Sequence, residues 1–342
     1  LAAIPNRIEE GYGLNTDMVK RLYKQGVSLI ITVDNGVAAF DAIEMAKELE
    51  IDVILTDHHA LKGPPPQSLA FIHPSTTPVN SPYRDFAGVG LAYLMAVSLS
   101  KEFKINKIIQ NSLDLFCLGT IADMAPLSSS NRYLLLKGLK TIHKTESYGL
   151  KALYKVSGLE NQEIDAEDIG FQIAPRINAV GRIGNPNMIL ELLTESNENN
   201  ANHLATECDS LNQTRRLMCS EIESEVFSLI DSDGQLLPPF ILIAQSHWHS
   251  GIIGIVASRI VEKYNRPTAL LTSNKDGTFR ASVRSPLGFN VNKALESCEK
   301  LLESDGGHSA AAGFTIKPQN ITDLHEKLNN LATKWREGEG KY

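Results

Sequence analysis

Cysteine is scarce in this chain. Four occur in 342 residues, Cys117, Cys208, Cys219 and Cys298, with no CxxC pair and no disulfide-rich spacing. That excludes a disulfide scaffold, and a reducing cytoplasm is the compartment the usage predicts. Long apolar runs are missing too: nothing approaches the roughly 18 consecutive apolar residues that cross a bilayer as a helix, so no membrane partner is expected. Positive charge is not in excess, with 33 Lys and Arg against 40 Asp and Glu and a formal net charge of −7. This argues against a uniformly basic nucleic-acid coat but leaves room for a local basic groove, because a field depends on where the charges sit. No internal repeat or low-complexity segment interrupts the chain.

What remains has globular proportions, 42% hydrophobic and 21% charged, and 342 residues suffice for two domains. The stretch that organises the rest is Ile51 to His59, IDVILTDHH. Val53, Ile54 and Leu55 form a short apolar run suited to a buried parallel strand, and Asp57, His58 and His59 follow it directly. In open α/β sheets the carboxyl ends of strands form the ligand crevice, so these three side chains fall where a site is expected. A second apolar run, Leu29 to Val33, ends in Asp34-Asn35-Gly36, and the helical spacing of Ala39, Ile43, Ala46 and Leu49 joins the two runs as one βαβ unit. Adjacent strands lie about 4.8 Å apart, which suits carboxylates holding two metal ions roughly 3.5–4 Å from each other. Spacing thus suggests a dinuclear centre around Asp34 and Asp57.

Upstream, a short strand is expected to end near Ile4, with Arg7 in the loop behind it, either solvated or binding an anion. A helix is expected from Thr16 to Gln25, capped by Asn15 or Thr16. Beyond the histidines, Ala70 to Ile72 reads as a strand ending at His73, a structural or supporting residue. Gly88 to Phe103 and Ile105 to Cys117 read as helices. Asp123 stands in the apolar stretch GTIADMAP, where an acid is costly unless it caps a helix, pairs, or binds a metal. Phe171 to Gly184, FQIAPRINAVGRIG, reads as a loop punctuated by Pro and Gly; its Arg176 and Arg182 either bind phosphate or brace the junction through carboxylates. Asn199 to Ile230 carries Leu204, Cys208, Leu211, Met218, Ile222, Val226 and Leu229 at helical intervals, one long helix with Arg215 and Arg216 on its solvated face. The second domain then reads strand, SHWHSGIIG loop, helix, strand, a turn at Asn274 to Gly277, and a strand delivering Ser282, Arg284 and Ser285. A helix from Asn292 to Leu302 is expected before Asp305-Gly306-Gly307-His308, where paired glycines allow a close backbone approach.

At this point the chain resembles the DHH phosphoesterases and, within them, the RecJ single-strand-specific exonucleases. The segments that carry the resemblance run in order: PNRIEEGYGL, TVDNG, TDHH, GTIADMAPL, APRINAVGR, LNQTRR, HWHSGIIGI, RASVRS and GGHSAAAGF. It implies an α/β fold, with a parallel-sheet DHH domain over 1–160, a connector with a long interdomain helix over 161–234, and a smaller mixed α/β DHHA1 domain over 235–342. It implies Asp34 as an acid bridging two metals, His58 and Asp123 as ligands of one of them, Asp57 as an orienting or ligating acid, and His59 beside the scissile phosphate. Ser282, Arg284 and His308, helped by Arg7 and by Arg176 or Arg182, would bind phosphate. The implied activity is 5′→3′ hydrolysis of single-stranded DNA supported by two Mn2+ or Mg2+ ions, in recombination and repair, with a helicase and a single-strand-binding protein as partners.

The resemblance also places an Asp-x-Asp motif upstream of Pro5 and an OB-fold beyond Tyr342. The chain as it stands is therefore expected to bind metal weakly, to turn over poorly or not at all, and to grip DNA less well than the family. Two other readings stay open: a DHH–DHHA1 phosphodiesterase for oligonucleotides or cyclic dinucleotides, and a non-catalytic DHH-like scaffold.

Overall fold

Residues 1–5, 10–11, 13–61, 63–105, 108–232 and 237–338 are described by the computed structural model of the chain. The expected Arg7 lies outside the described residues. Contacts divide the chain into two units, Leu1–Asn212 and Gln213–Tyr342.

The first unit begins with helix α1 (Thr16–Lys24), which starts where the Asn15 side chain accepts a hydrogen bond from Met18 N at 2.8 Å and which buries Met18, Val19 and Leu22. Strands β1 (Leu29–Ile31), β2 (Asp52–Thr56) and β3 (Ala70–Ile72) form a parallel sheet in the order β1-β2-β3, with helix α2 (Phe40–Glu48) crossing between the first two. This is the expected βαβ unit. Ile30, Val53 and Leu55 pack with α1 and α2 on one face. Strand β1 is shorter than expected and lies at the sheet edge, so Leu29, Ile31 and Val33 are exposed on its other face. The strand expected near Ile4 is absent: Leu1–Pro5 has no regular structure, and among the described residues the sheet ends at β1.

A helical layer follows, made of α3 (Gly88–Glu102), α4 (Ile108–Ala122), α5 (Ser129–Leu139), α6 (Tyr148–Val156), α7 (Ala166–Asp168), α8 (Ala174–Ile183), α9 (Asn187–Thr194) and the start of α10 (Glu198–Ser232). Phe86, Phe116, Leu153, Ile169, Ile173, Leu192 and Cys208 are central to its core. The segment expected as a loop at Phe171 to Gly184 is helical. An Asp165–Asp168 capping box starts α7, a π turn spans Ile169–Ile173, and α8 continues to Ile183. Pro175 is tolerated because it sits in the first turn of α8, after the π turn has already interrupted the i→i−4 ladder.

In the second unit, β4 (Ile241–Ala244), β5 (Thr268–Ser273), β6 (Phe279–Arg284), β7 (Leu302–Gly307) and β8 (Ala311–Ile316) make a sheet in the order β4-β5-β6-β8-β7, parallel only between β4 and β5. Helix α11 (Ser250–Tyr264) buries Ile252, Ile253, Val256, Ala257 and Ile260, and α12 (Val291–Glu296) and α13 (Ile321–Arg336) enclose a core around Phe240, Phe289, Phe314 and Leu328. The turn read at Asn274 to Gly277 closes the β5–β6 hairpin, with Gly277 at φ +84°. The helix expected from Asn292 to Leu302 stops at Glu296, because Leu302–Gly307 is claimed by β7 through its ladder to β8. The long helix is α10, 35 residues, close to the expected span. Its later part is tied to α11 by Arg259 Nη1 and Glu223 Oε2 at 2.6 Å and by Lys263 Nζ 3.4 Å from the Phe227 ring centre. Of the two arginines read on its solvated face, Arg216 is exposed and Arg215 is half-buried.

Candidate functional site

The ladder β1–β2 pairs Ile31 with Ile54, so continuing it brings Asp34 and Asp57 level past the strand ends. They are used differently. Asp34 leaves the extended conformation at φ +63°, a left-handed position that Asp tolerates better than most residues. Asp57 is 1% exposed and turns back into the protein. Its Oδ1 accepts from His58 N (2.7 Å), His59 N (3.1 Å) and His59 Nδ1 (2.7 Å), and its Oδ2 accepts from Val37 N (3.0 Å). Burial pushes the Asp57 carboxyl up, but the hydrogen bonds from His59, Val37 and the His59 backbone outweigh it and hold the group at about 2. Both oxygens are engaged by the protein, which favours the orienting alternative for Asp57 over the ligating one.

The atoms that converge are those of Asp34, His58 and Asp123. His58 Nε2 lies 2.9 Å from Asp34 Oδ1 and 3.7 Å from Asp123 Oδ2. That ring nitrogen is buried and has no partner in hydrogen-bond geometry, as expected for a lone pair aimed at a point it shares with carboxylate oxygens. Asp34, His58 and His59 each offer a ligand atom within 4.8 Å of one another, the one such group among the described residues. Asp34 contact raises the His58 pKa above its ordinary value against burial, and Asp123 adds to the rise. The Asp57 hydrogen bond raises that of His59, again against burial. Burial pushes the Asp123 carboxyl up; His58 pulls it down and Asp34 pushes it further up. A divalent cation at the shared point would relieve this crowding, so the donor set of two carboxylates and an imidazole fits Mn2+ or Mg2+.

Neighbouring elements hold this arrangement. Asp123 directly follows α4, and the loop after it is fastened by Asn131, whose Nδ2 donates to Asp85 O (2.7 Å) and Pro126 O (2.9 Å). His73 is a support residue: Ser75 N donates to its Nδ1 (3.0 Å), which leaves the hydrogen on Nε2 to donate to His59 O (2.9 Å). Gly88, at the start of α3, was not recognised as part of the site. A Cβ there would stand 2.5 Å from Asp34 Cβ and Oδ1, so only glycine lets the helix begin against this carboxylate. The signal in the sequence was Gly88-Val89-Gly90, glycines at a place where a helix otherwise has no need of them.

The arginines separate. Arg176 is fully engaged: Nε pairs with Asp209 Oδ1 (2.8 Å), Nη1 donates to Gln172 O (2.5 Å) and Nη2 to Val156 O (3.1 Å). This is the bracing alternative. Arg182 instead lines a cavity of about 350 Å³ with Asn178, Gly181, Val33, Asp34 and Asn35. In the second unit Ser282 Oγ and Arg284 Nη2 converge on α11, 3.3 and 3.1 Å from where a Gly254 Cβ would lie, and burial pushes the Arg284 guanidinium down. His308 is exposed, and its N–H donates to Ala311 O at 2.8 Å across the β7–β8 turn.

Comparison with known proteins gives the class first. Residues 1–120 match the DHH family N-terminal domain and residues 237–334 the DHHA1 domain. The chain is 39% identical over 330 residues to the single-stranded-DNA-specific exonuclease RecJ of Bacillus subtilis, covering 96% of this chain and 41% of that protein. It is 35% identical over 350 residues to the Escherichia coli RecJ of the same description, covering 97% of this chain and 61% of that protein. A crystal structure of exonuclease RecJ bound to manganese superposes with a TM-score of 0.83 at 32% identity, covering 97% of this chain and 82% of that one. The chain belongs to the RecJ family of DHH phosphoesterases. It spans about two fifths to three fifths of the length of these curated relatives. No helix among the described residues is long and apolar enough to cross a membrane.

Proposed function

We propose that this chain is the catalytic part of a single-stranded-DNA-specific exonuclease that hydrolyses phosphodiester bonds from the 5′ end with Mn2+ or Mg2+. The observation that carries the reading is the convergence of Asp34 Oδ1, His58 Nε2 and Asp123 Oδ2 past the carboxyl ends of a parallel sheet. It is supported by relatives described as single-stranded-DNA-specific exonucleases and by RecJ crystal structures that hold manganese or magnesium.

Asp34, His58 and Asp123 are the residues that would hold the metal. Divalent ions there supply Lewis-acid charge for the phosphoryl oxygens and lower the pKa of a coordinated water. Asp57 acts as a positioning residue: its hydrogen bond to His59 Nδ1 fixes that ring, so Nε2 is the nitrogen His59 can turn to the substrate. Ser282, Arg284 and His308 bind phosphate, a guanidinium giving the charge stabilisation that such reactions need. Arg182 is the connector arginine read as a DNA contact, whereas Arg176 serves the fold. The reading includes the division at 1–160, 161–234 and 235–342, a cytoplasmic setting in recombination and repair, and helicase and single-strand-binding partners.

The test incubates the chain with Mn2+ and end-labelled single-stranded DNA, duplex DNA or a cyclic dinucleotide. Release of mononucleotides from the 5′ end of single strands only is the expected result. Cleavage of the dinucleotide alone would move the protein to the small-substrate branch. Bound metal without any cleavage would make it a scaffold.

A further inference from the structure

In the second unit, Asn265, Arg266, Trp335 and Arg336 line an open cavity of about 400 Å³. Arg266 follows the left-handed cap of α11 at Asn265, and Arg336 closes the last turn of α13. Arg266 Nη1 donates to Asn265 O at 3.1 Å, but its Nε is buried and has no hydrogen-bond partner. Among the described residues neither arginine has a carboxylate within ion-pair distance, although Lys317, Arg21, Arg176 and Arg259 all do. Two uncompensated guanidiniums that share a cavity repel each other, and burial followed by the Arg336 charge pushes Arg266 down from its ordinary value. Arg336 by itself has a bland explanation, a cation at a helix C-terminus. That does not account for Arg266 or for its buried donor.

Trp335 supplies the third feature. It is half-buried, packs edge-on against Phe289 at 5.6 Å between ring centres, and lies close over Gly288, whose φ of +96° favours glycine and where a Cβ would stand 3.3 Å from its Nε1. Residues 285–289 form the turn that leaves β6 immediately after Arg284, and Ser285 Oγ pins that turn by donating to Phe289 O at 2.8 Å. On the other side, Thr268 is the cross-strand partner of Arg284, two residues beyond Arg266. The cavity therefore adjoins the strand end that carries the Arg284 phosphate site. Guanidiniums without carboxylate partners, with an indole beside them, combine the charge and the aromatic surface by which single strands are held.

We infer that Arg266, Arg336 and Trp335 form a second nucleic-acid subsite, in which the two guanidiniums take a backbone phosphate of single-stranded DNA and the indole contacts the adjoining base. The inference rests on the single-strand reading above and extends it to a contact beyond the reacting nucleotide.

The chain contains two tryptophans, and the other, Trp248, is 4% exposed and donates its Nε1 hydrogen to Glu225 at 2.8 Å. Quenching of intrinsic fluorescence on adding oligothymidylate, with metal chelated to prevent cleavage, therefore reports Trp335. Quenching should vanish in Trp335→Phe. Arg336→Glu should weaken oligothymidylate binding by about tenfold and lower the slope of log affinity against log salt by about 1, the signature of one lost phosphate contact. Arg266→Lys, which keeps charge but loses the fork, should weaken binding less and leave thermal stability within a degree or two of the parent. Binding by the parent that none of the three variants alters, in affinity, salt slope or quenching, would overturn the subsite and leave the exonuclease reading intact. No oligothymidylate binding by the parent would overturn both. Quenching by polyglutamate rather than by oligothymidylate would assign the cavity to an acidic peptide and overturn the inference as well.

Discussion

The polar groups read as a metal site in the first unit are short side chains fixed from several directions; in the second unit Arg284, read as a phosphate contact, is a long cation at a strand end. Asp34 takes a left-handed backbone and requires glycine at 88, and Asp57 is fastened by four hydrogen bonds. Arg284, by contrast, is anchored mainly by burial and by one bond from Nη1 to its neighbour Val283 O at 2.8 Å. On the proposed reading the left-handed backbone at Asp34 serves a metal centre, which tolerates little displacement of its donors. Phosphate is a larger target with several oxygens, and a guanidinium fork can follow it.

That contrast can be broken most sharply at Asp34. Asp34→Asn should abolish Mn2+ binding by calorimetry and reduce cleavage of single strands by about a thousandfold, equivalent to roughly 4 kcal/mol of transition-state stabilisation. Unchanged Mn2+ affinity would remove Asp34 from the metal centre. Arg284→Gln should act on the other side of the comparison: cleavage falls by about a hundredfold, the loss of one charged phosphate contact, while Mn2+ binding stays at the parent value. Should Mn2+ affinity fall in parallel, the two units would not divide the work as described.

Asp57→Asn tests whether the orienting acid is as firmly held as its contacts indicate. Loss of a buried carboxylate acceptor is expected to cost about 2–3 kcal/mol in urea unfolding. The sign with pH follows from a depressed folded value. Asp57 contributes stability above its unfolded value near 3.8, on the order of 2 kcal/mol at neutral pH, and loses it as pH falls toward about 2. An Asp57→Asn variant whose acid unfolding matches the parent would contradict this. The smallest effect concerns His58 and His59, both raised above 6.5 in the folded protein. Their stabilisation of the metal-free protein is complete below 6.5 and is lost as pH rises through the folded values. Metal needs the neutral ring of His58, so the thermal shift produced by Mn2+ should grow over the same interval while the metal-free melting temperature declines. Parallel trends with and without Mn2+ would separate His58 from the metal.

The sequence made the βαβ unit readable because its signals are local: apolar runs of strand length, helical spacing between them, and ligand-type residues at the strand ends. The 35-residue helix and the Asn274 to Gly277 turn were readable for the same reason. Gly88 was legible only in part: Gly88-Val89-Gly90 marks an unusual helix start, but the requirement comes from Asp34, far away in the chain, and nothing along the sequence names that partner. Phe171 to Gly184 was misread because Pro and Gly ordinarily mark loops, whereas Pro175 occupies a first-turn position and Gly181 faces open space. Leu302–Gly307 has weak strand propensity, and only pairing with β8 makes it a strand. Asp57 illustrates a different limit: register placed it correctly beside Asp34, but the direction of a carboxylate is set by which backbone amides surround it.

The π turn at Ile169–Ile173 sets a phase. It accommodates one residue more than an α-helical turn would, and each residue advances a helix by about 100°. Removing one residue from this segment would let α7 and α8 merge into a regular helix with little rotation of the side chains beyond it, since the π turn already takes up its extra residue. Arg176 would stay opposite Asp209, and Asn178, Gly181 and Arg182 would keep the cavity beside Asp34. Removing Ile177 from within α8 has no such turn to absorb it, and would swing Asn178, Gly181 and Arg182 onto other faces by about 100°. Circular dichroism would register the same helix content after either deletion, yet only the second would uncouple this arginine-bearing surface from the carboxylate it faces.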